Sequence, residues 1–185
     1  SIALNYCNIG NVYSTEGDYS KALNYHMNAL KIDEELGNKY GIARHLSNIG
    51  TCYDGLQDYP KALEYYSKAL EIDEGLNNKK GIALRLGGFS SVYSKQRNYI
   101  KALEYDLKSY KLLEEIGDKK GIGWSLRKIG WVYTKMGEYD NAYSYLYQAL
   151  SVLSSIGAID GIKRNYEDLS ELYASSSVLL PDSVG

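Results

Sequence analysis

A forty-residue period runs through this chain and constrains its fold more than any other feature. Tyr13, Tyr53, Tyr93, Tyr133 and Tyr173 lie one period apart, as do Ala22, Ala62, Ala102 and Ala142. Tyr19, Tyr59, Tyr99 and Tyr139 form another column, and Tyr25, Tyr65, Tyr105 and Tyr145 a fourth. A repeated unit of this length cannot bury its own apolar surface and must stack on copies of itself. The period also explains an odd composition: of 20 Tyr, set against 1 Phe, 13 sit in the three tyrosine columns. Duplication and packing account for these rings without any aromatic cofactor box.

Each period holds two helical patterns. In the second repeat Ile42, Leu46, Ile49 and Tyr53 recur at three- and four-residue steps, which predicts a helix A over about 39–56, closed by Gly55 and the break around Asp58. Asp58 is a suitable N-cap and Pro60 is tolerated in a first turn. Ala62, Leu63, Tyr66, Ala69, Leu70 and Ile72 then carry a helix B toward about residue 76. Gly37, Gly117 and Gly157, with Asn77 as substitute, suit the left-handed stop after helix B, and Asn38, Asn78 and Asp118 suit the cap of the next helix A. The alanine column, and Gly10, Gly50 and Gly130 with Ser90 in the third repeat, allow close approach between helices. Gly87-Gly88 inside a helix reads as a weak spot or as a place for a ligand backbone, not as a phosphate loop.

The residues Leu46, Ile49, Gly50, Tyr53, Ala62, Tyr66 and Ala69, repeated as Tyr6, Ile9, Gly10, Tyr13, Ala22, His26 and Ala29 and as Leu126, Ile129, Gly130, Tyr133, Ala142, Leu146 and Ala149, resemble the tetratricopeptide repeat in its longer form. The third repeat departs, with Ser90, Asp106 and Ser109 at three of these places. The resemblance implies an all-α, right-handed superhelical solenoid of antiparallel helix pairs, with nine helices in a single array over 1–174. Its repeats fall at about 1–37, 38–77, 78–117 and 118–157, followed by a capping helix at 158–174, marked by Tyr166, Leu169 and Tyr173, and a tail or truncated element at 175–185. Gly-Asp-Lys-Lys-Gly-Ile at 117–122 and Lys-Ala-Leu-Glu-Tyr at 61–65 resemble tetratricopeptide regions of bacterial signalling proteins.

Charge and composition narrow the function. With 21 basic and 23 acidic residues the net charge is -2, without the basic excess of a general nucleic-acid binder. No apolar run reaches the length of a membrane helix. Cys7 and Cys52 lie far apart and read as free thiols, which favours a reducing compartment and so the cytoplasm. The chain begins Ser1-Ile2-Ala3 and reads as an excised piece, so a periplasmic address stays open if a native leader has been removed. His26 and His45 fall in different helices with no ligand partner at i+3 or i+4, and His26 shares the packing column of Tyr66. No nucleophile with a base, no metal site and no cofactor is therefore expected, and the chain reads as a non-enzyme.

The resemblance also implies that the A helices line a concave face. At about 100° per residue, that face comprises Tyr40, Arg44, Ser47, Asn48, Thr51 and Asp54 in repeat two, and Lys80, Leu84, Gly87, Gly88, Ser91 and Lys95 in repeat three. Repeat four supplies Lys120, Trp124, Arg127, Lys128, Trp131 and Lys135. The segments 79–97 and 119–137 carry cations and no acid, which predicts a basic inner wall bearing both tryptophans of the chain. The expected peptide-binding residues are Trp124, Trp131, Arg127, Lys128, Lys135, Lys95, Lys80, Arg44, Asn48 and Asn11. A carboxylate clamp of the kind some family members use is not expected, because Cys7, Leu84 and Gly88 stand where its cations belong. The reading is a scaffold that binds an acidic or mixed apolar protein segment and serves a larger signalling protein. A structural spacer or self-association module is the alternative. RNA binding is disfavoured, since the cations concentrate in two repeats and no repeated base-reading pair is visible.

Overall fold

A computed structural model describes residues 2–177. Among them are nine α-helices and no strand: α1 (Ile2–Thr15), α2 (Tyr19–Glu35), α3 (Lys39–Gly55), α4 (Tyr59–Gly75), α5 (Lys79–Lys95), α6 (Tyr99–Glu115), α7 (Lys119–Met136), α8 (Tyr139–Ser155) and α9 (Ile159–Ser177). Odd-numbered helices are the A helices and even-numbered ones the B helices. The expected capping helix is α9, which runs on through Ser175 and Ser176 to Ser177, residues expected in the tail. The rest of that expected tail, 178–185, lies outside the described residues.

The chemistry of the helix ends explains the sharp period. Asn38, Asn78 and Asp118 each accept a hydrogen bond from the backbone N–H three residues on, at Gly41, Gly81 and Gly121, over 3.2, 3.1 and 3.0 Å. Asp58 does the same for Lys61 at 3.3 Å. The stops after the B helices are left-handed as expected, at Gly37, Asn77, Gly117 and Gly157. After the A helices the left-handed residues are Gly17, Gln57, Arg97 and Gly137, so Gln57 and not Gly55 makes the stop after α3. Gly55 serves packing instead, because a Cβ there would lie 2.4 Å from the Tyr19 ring.

Two compact units succeed each other, Ser1–Val92 and Tyr93–Gly185. In the first, α1 packs on α2, α2 on α3 and α3 on α4, with the fully buried Ala22, Ala29, Ala43, Ile49, Cys52, Ala62 and Ala69 between them. The first part of α5 joins this unit through Phe89, whose ring tilts against Tyr66 at 6.0 Å. In the second, α7 packs on α6, α8 and α9, and one apolar cluster of Ala142, Leu146, Leu169 and Leu172 is covered by α9. The glycine column faces a large side chain of the next helix. A Cβ at Gly10, Gly50 or Gly130 would come within 2.7 to 2.9 Å of His26, Tyr66 or Leu146 respectively. Gly88 leaves room for the same Tyr66 ring, with 2.8 Å to a hypothetical Cβ, and this explains the glycine better than a weak spot or a ligand approach does.

The tyrosine columns become a repeated stack. Tyr13 lies on Tyr25, Tyr53 on Tyr65, Tyr93 on Tyr105 and Tyr133 on Tyr145, with ring centroids 5.4, 5.4, 5.5 and 5.5 Å apart. Lys21, Lys61 and Lys101 sit over the rings of Tyr13, Tyr53 and Tyr93 at 5.2, 5.0 and 5.0 Å. Each stack ties an A helix to its own B helix.

Candidate functional site

In the first unit, α3 and α5 border an open hollow of about 470 Å³, lined by Tyr40, Arg44 and Asn48 from α3 and by Lys80 and Leu84 from α5. Tyr40 and Leu84 are 59% and 58% exposed, although both are large and apolar. Three expected binding residues, Arg44, Asn48 and Lys80, thus meet in one place beside two apolar anchors. Asn48 also donates to Asn11 at 3.2 Å, which brings Asn11 to the same surface. Two other residues expected on this face, Ser47 and Asp54, are buried, and Asp54 accepts from Ser91 at 3.0 Å. Arg85, a cation of the acid-free segment 79–97, is buried as well and pairs with Asp73 of α4 at 2.9 Å.

The second unit gathers Trp124, Arg127, Lys128, Trp131 and Lys135 on α7, and gives them partners. Arg127 lies over the Trp124 ring at 5.3 Å and bonds Asp168 of α9 at 2.5 Å. Arg164 of α9 covers the same ring at 5.8 Å. Trp131 donates its indole N–H to Glu171 of α9 at 3.2 Å, and Lys135 pairs with that carboxylate too. Lys128 reaches Asp106 of α6 at 3.4 Å. Burial pushes the Asp168 carboxyl up to about 6, against the opposing pull of Arg127. Both tryptophans are half-buried rather than solvent-facing. Counting charge one helix at a time missed this neutralisation, because the acids come from neighbouring helices. Lys95 is exposed at the end of α5.

The histidines that spacing left isolated are brought together by folding. Cys7 of α1, His26 of α2 and His45 of α3 are all buried, with their ligand-type atoms within 4.8 Å of one another. Burial, with a smaller push from His45, lowers His26 to about 4, so its imidazole is neutral. Burial raises the Cys7 thiol despite the nearby Arg44. Helical spacing within one segment carries no sign of a cluster built across three helices. The only signal was that both histidines and Cys7 fall within the first 45 residues.

The tetratricopeptide repeat profile matches residues 1–75 and 82–175. Among curated proteins no relative matches the sequence significantly. Several solved structures share the fold. Aspartyl phosphate phosphatase F from Bacillus subtilis superposes with a TM-score of 0.82 at 16% identity, over 96% of this chain and 49% of its own. A Rap protein complexed with competence and sporulation factor gives 0.83 at 18% identity, over 96% and 52%. A signal-transduction ATPase with numerous domains and a tetratricopeptide repeat sensor, from Pyrococcus horikoshii, gives 0.79 at 24% identity, over 94% and 26%. This chain therefore spans about half the length of the first two. With its helix pairs, its glycine and alanine columns and a profile match along nearly all of its length, the chain belongs to the tetratricopeptide repeat family.

Proposed function

We propose that this chain is a non-catalytic protein- or peptide-binding module, the interaction or sensing region of a larger bacterial signalling protein, and that it takes an acidic segment with apolar side chains against its A helices. The hollow between α3 and α5 carries this reading. There Tyr40 and Leu84 offer exposed apolar area and Arg44 and Lys80 offer positive charge, beside Asn48, whose amide N–H groups bond Asn11 and Cys7. Exposed apolar side chains rimmed by polar and charged ones are the composition of an interaction surface. The neighbours support a binding module, one being a Rap protein complexed with competence and sporulation factor and another carrying a tetratricopeptide repeat sensor. The α7 face, with Trp124, Trp131, Arg127, Lys128 and Lys135, is a second place for an acidic segment, and there the ligand must displace Glu171 of α9.

Selection of peptides from a random library on the immobilised chain, followed by isothermal titration, tests the reading. The selected peptides should be acidic with one or two large apolar residues. Tyr40→Ala should weaken binding by about tenfold or more, as truncation of an interface anchor does. Lys80→Glu should slow association most at low salt. Peptides without acidic bias, or affinities that ignore all of Tyr40→Ala, Arg44→Glu and Trp131→Ala, would defeat the groove assignment. Selection of no peptide, together with a mass by light scattering that grows with concentration, would favour the spacer and self-association reading.

A further inference from the structure

We propose that Cys7, His26 and His45 form a binding site for one zinc-class divalent metal ion, clamping α1, α2 and α3 together. The three side chains supply one thiol sulfur and two imidazoles, a donor set suited to a borderline-soft transition metal and unsuited to calcium or magnesium. Their ligand-type atoms already lie within 4.8 Å of one another. Around a tetrahedral zinc, with bonds of about 2.0 Å to nitrogen and 2.3 Å to sulfur, such atoms sit roughly 3.3 to 3.5 Å apart. A contraction of about an ångström, within reach of side-chain rotation, closes the site.

The unsatisfied atoms give a second, independent reason. His26 is wholly buried, yet both of its ring nitrogens lack a hydrogen-bond partner, and so does Nδ1 of the wholly buried His45. Buried polar atoms without partners are uncommon and costly, and a bound cation would satisfy them. Packing alone does not call for a histidine here: Tyr66 and Leu146 fill the place of His26 in later repeats without stranding a ring nitrogen.

The surroundings are also those of a metal ligand. His45 Nε2 lies 2.8 Å from Asp33 Oδ2, so the carboxylate holds the proton on Nε2 and leaves the Nδ1 lone pair for the metal. Asn38 steadies Asp33 from the other side, donating to Oδ1 at 3.0 Å. The Asn48 amide donates to Cys7 Sγ at 3.5 Å, a contact that strengthens once the sulfur is a thiolate. Among the described residues no fourth His, Cys, Asp or Glu joins the group, so the remaining position falls to water or a small exogenous donor. Because all three ligands are buried, loading takes place as the chain folds.

The later repeats supply substitutions that remove ligands without removing the fold. His26→Leu copies Leu146 in the equivalent place, and His45→Arg copies Arg85, which pairs with Asp73 as His45 pairs with Asp33. Cys7→Ser is the third variant. The tag-free full chain is unfolded, stripped with a chelator, refolded with or without Zn²⁺, desalted and assayed for metal, with Co²⁺ as a spectroscopic substitute. The wild type should retain about one equivalent, melt at a higher temperature than its metal-free form, and show tetrahedral cobalt absorption with a sulfur charge-transfer band. His26→Leu and His45→Arg should fold with unchanged circular dichroism and retain no metal, and Cys7→Ser should lose the charge-transfer band. Failure of the wild type to retain zinc or cobalt, or equal retention by the two folded histidine variants, would overturn the site. Peptide selection at the α3–α5 hollow is read on the metal-free wild type, so failure of the metal site and failure of the peptide reading remain distinguishable.

Discussion

Single residues in this chain act mostly through the space they leave or the partner they hold. Gly50 leaves the space: a Cβ there would meet the Tyr66 ring at 2.9 Å and the Ala62 carbonyl oxygen at 3.2 Å. Gly50→Ala should therefore cost about 1 to 3 kcal/mol through overpacking, read as a lower urea midpoint with an unchanged slope. Asp168 holds a partner but is half-starved of water, and its folded value of about 6 lies above the ordinary 3.8. A raised carboxyl means that the folded state binds the proton more tightly than the unfolded state. Its contribution is present in full at low pH and is lost as pH rises through about 6. Between pH 5 and 7 the wild type should lose about 1 kcal/mol of stability relative to Asp168→Asn, measured by denaturant unfolding at each pH. A difference between the two that stayed constant over this range would refute the assignment.

At the scale of elements, α9 matters for two reasons. Its Leu169 and Leu172 cover Leu146 and Ala142, and its Asp168 and Glu171 face the cations and the indole of α7. Leu172→Ala, which empties a buried position, should cost about 2 to 5 kcal/mol in thermal unfolding. Glu171→Gln should leave the fold intact and raise the affinity of the α7 face for an acidic peptide several-fold, which titration calorimetry would read directly. Helix positions, caps and left-handed stops were legible in advance because they depend on neighbours three or four residues away, as with Asn38 and Gly41. The hollow was legible in part: angular arithmetic placed Arg44, Asn48, Lys80 and Leu84 on one face. The same arithmetic put Ser47 and Asp54 there too, since it cannot tell the edge of an exposed stripe from its buried border. The α7–α9 ion pairs and the Cys7–His26–His45 cluster were not legible, because they join residues some 20 to 40 positions apart through a packing register that only the folded chain displays.

At the scale of the whole molecule, stability in a chain of sequence repeats is close to a sum of local terms and nearest-neighbour terms. Gly50→Ala should accordingly speed hydrogen exchange at Ile49 and Ala62 while leaving Ile129 and Leu146 close to wild type. Uniform acceleration along the chain would show one cooperative block instead. The buried pairs between a B helix and the next A helix differ from one boundary to another: Asp33 meets His45 and Asp73 meets Arg85, whereas Leu113 and Leu153 stand in the same register as those aspartates. This has a consequence for how the gene can change length. Unequal recombination that excises residues 39–78 rejoins Asn38 to Lys79, keeps the cap on Gly81 and presents Asp33 with Arg85, so a shortened array still folds with its carboxylate paired. Excision of 79–118 sets Asp73 opposite Ser125 and strands a buried charge. The first kind of deletion erases His45, so lineages that have lost that repeat should carry an aspartate–arginine ion pair where this chain has Asp33 and His45, and keep only Cys7 and His26 of the three metal-type donors.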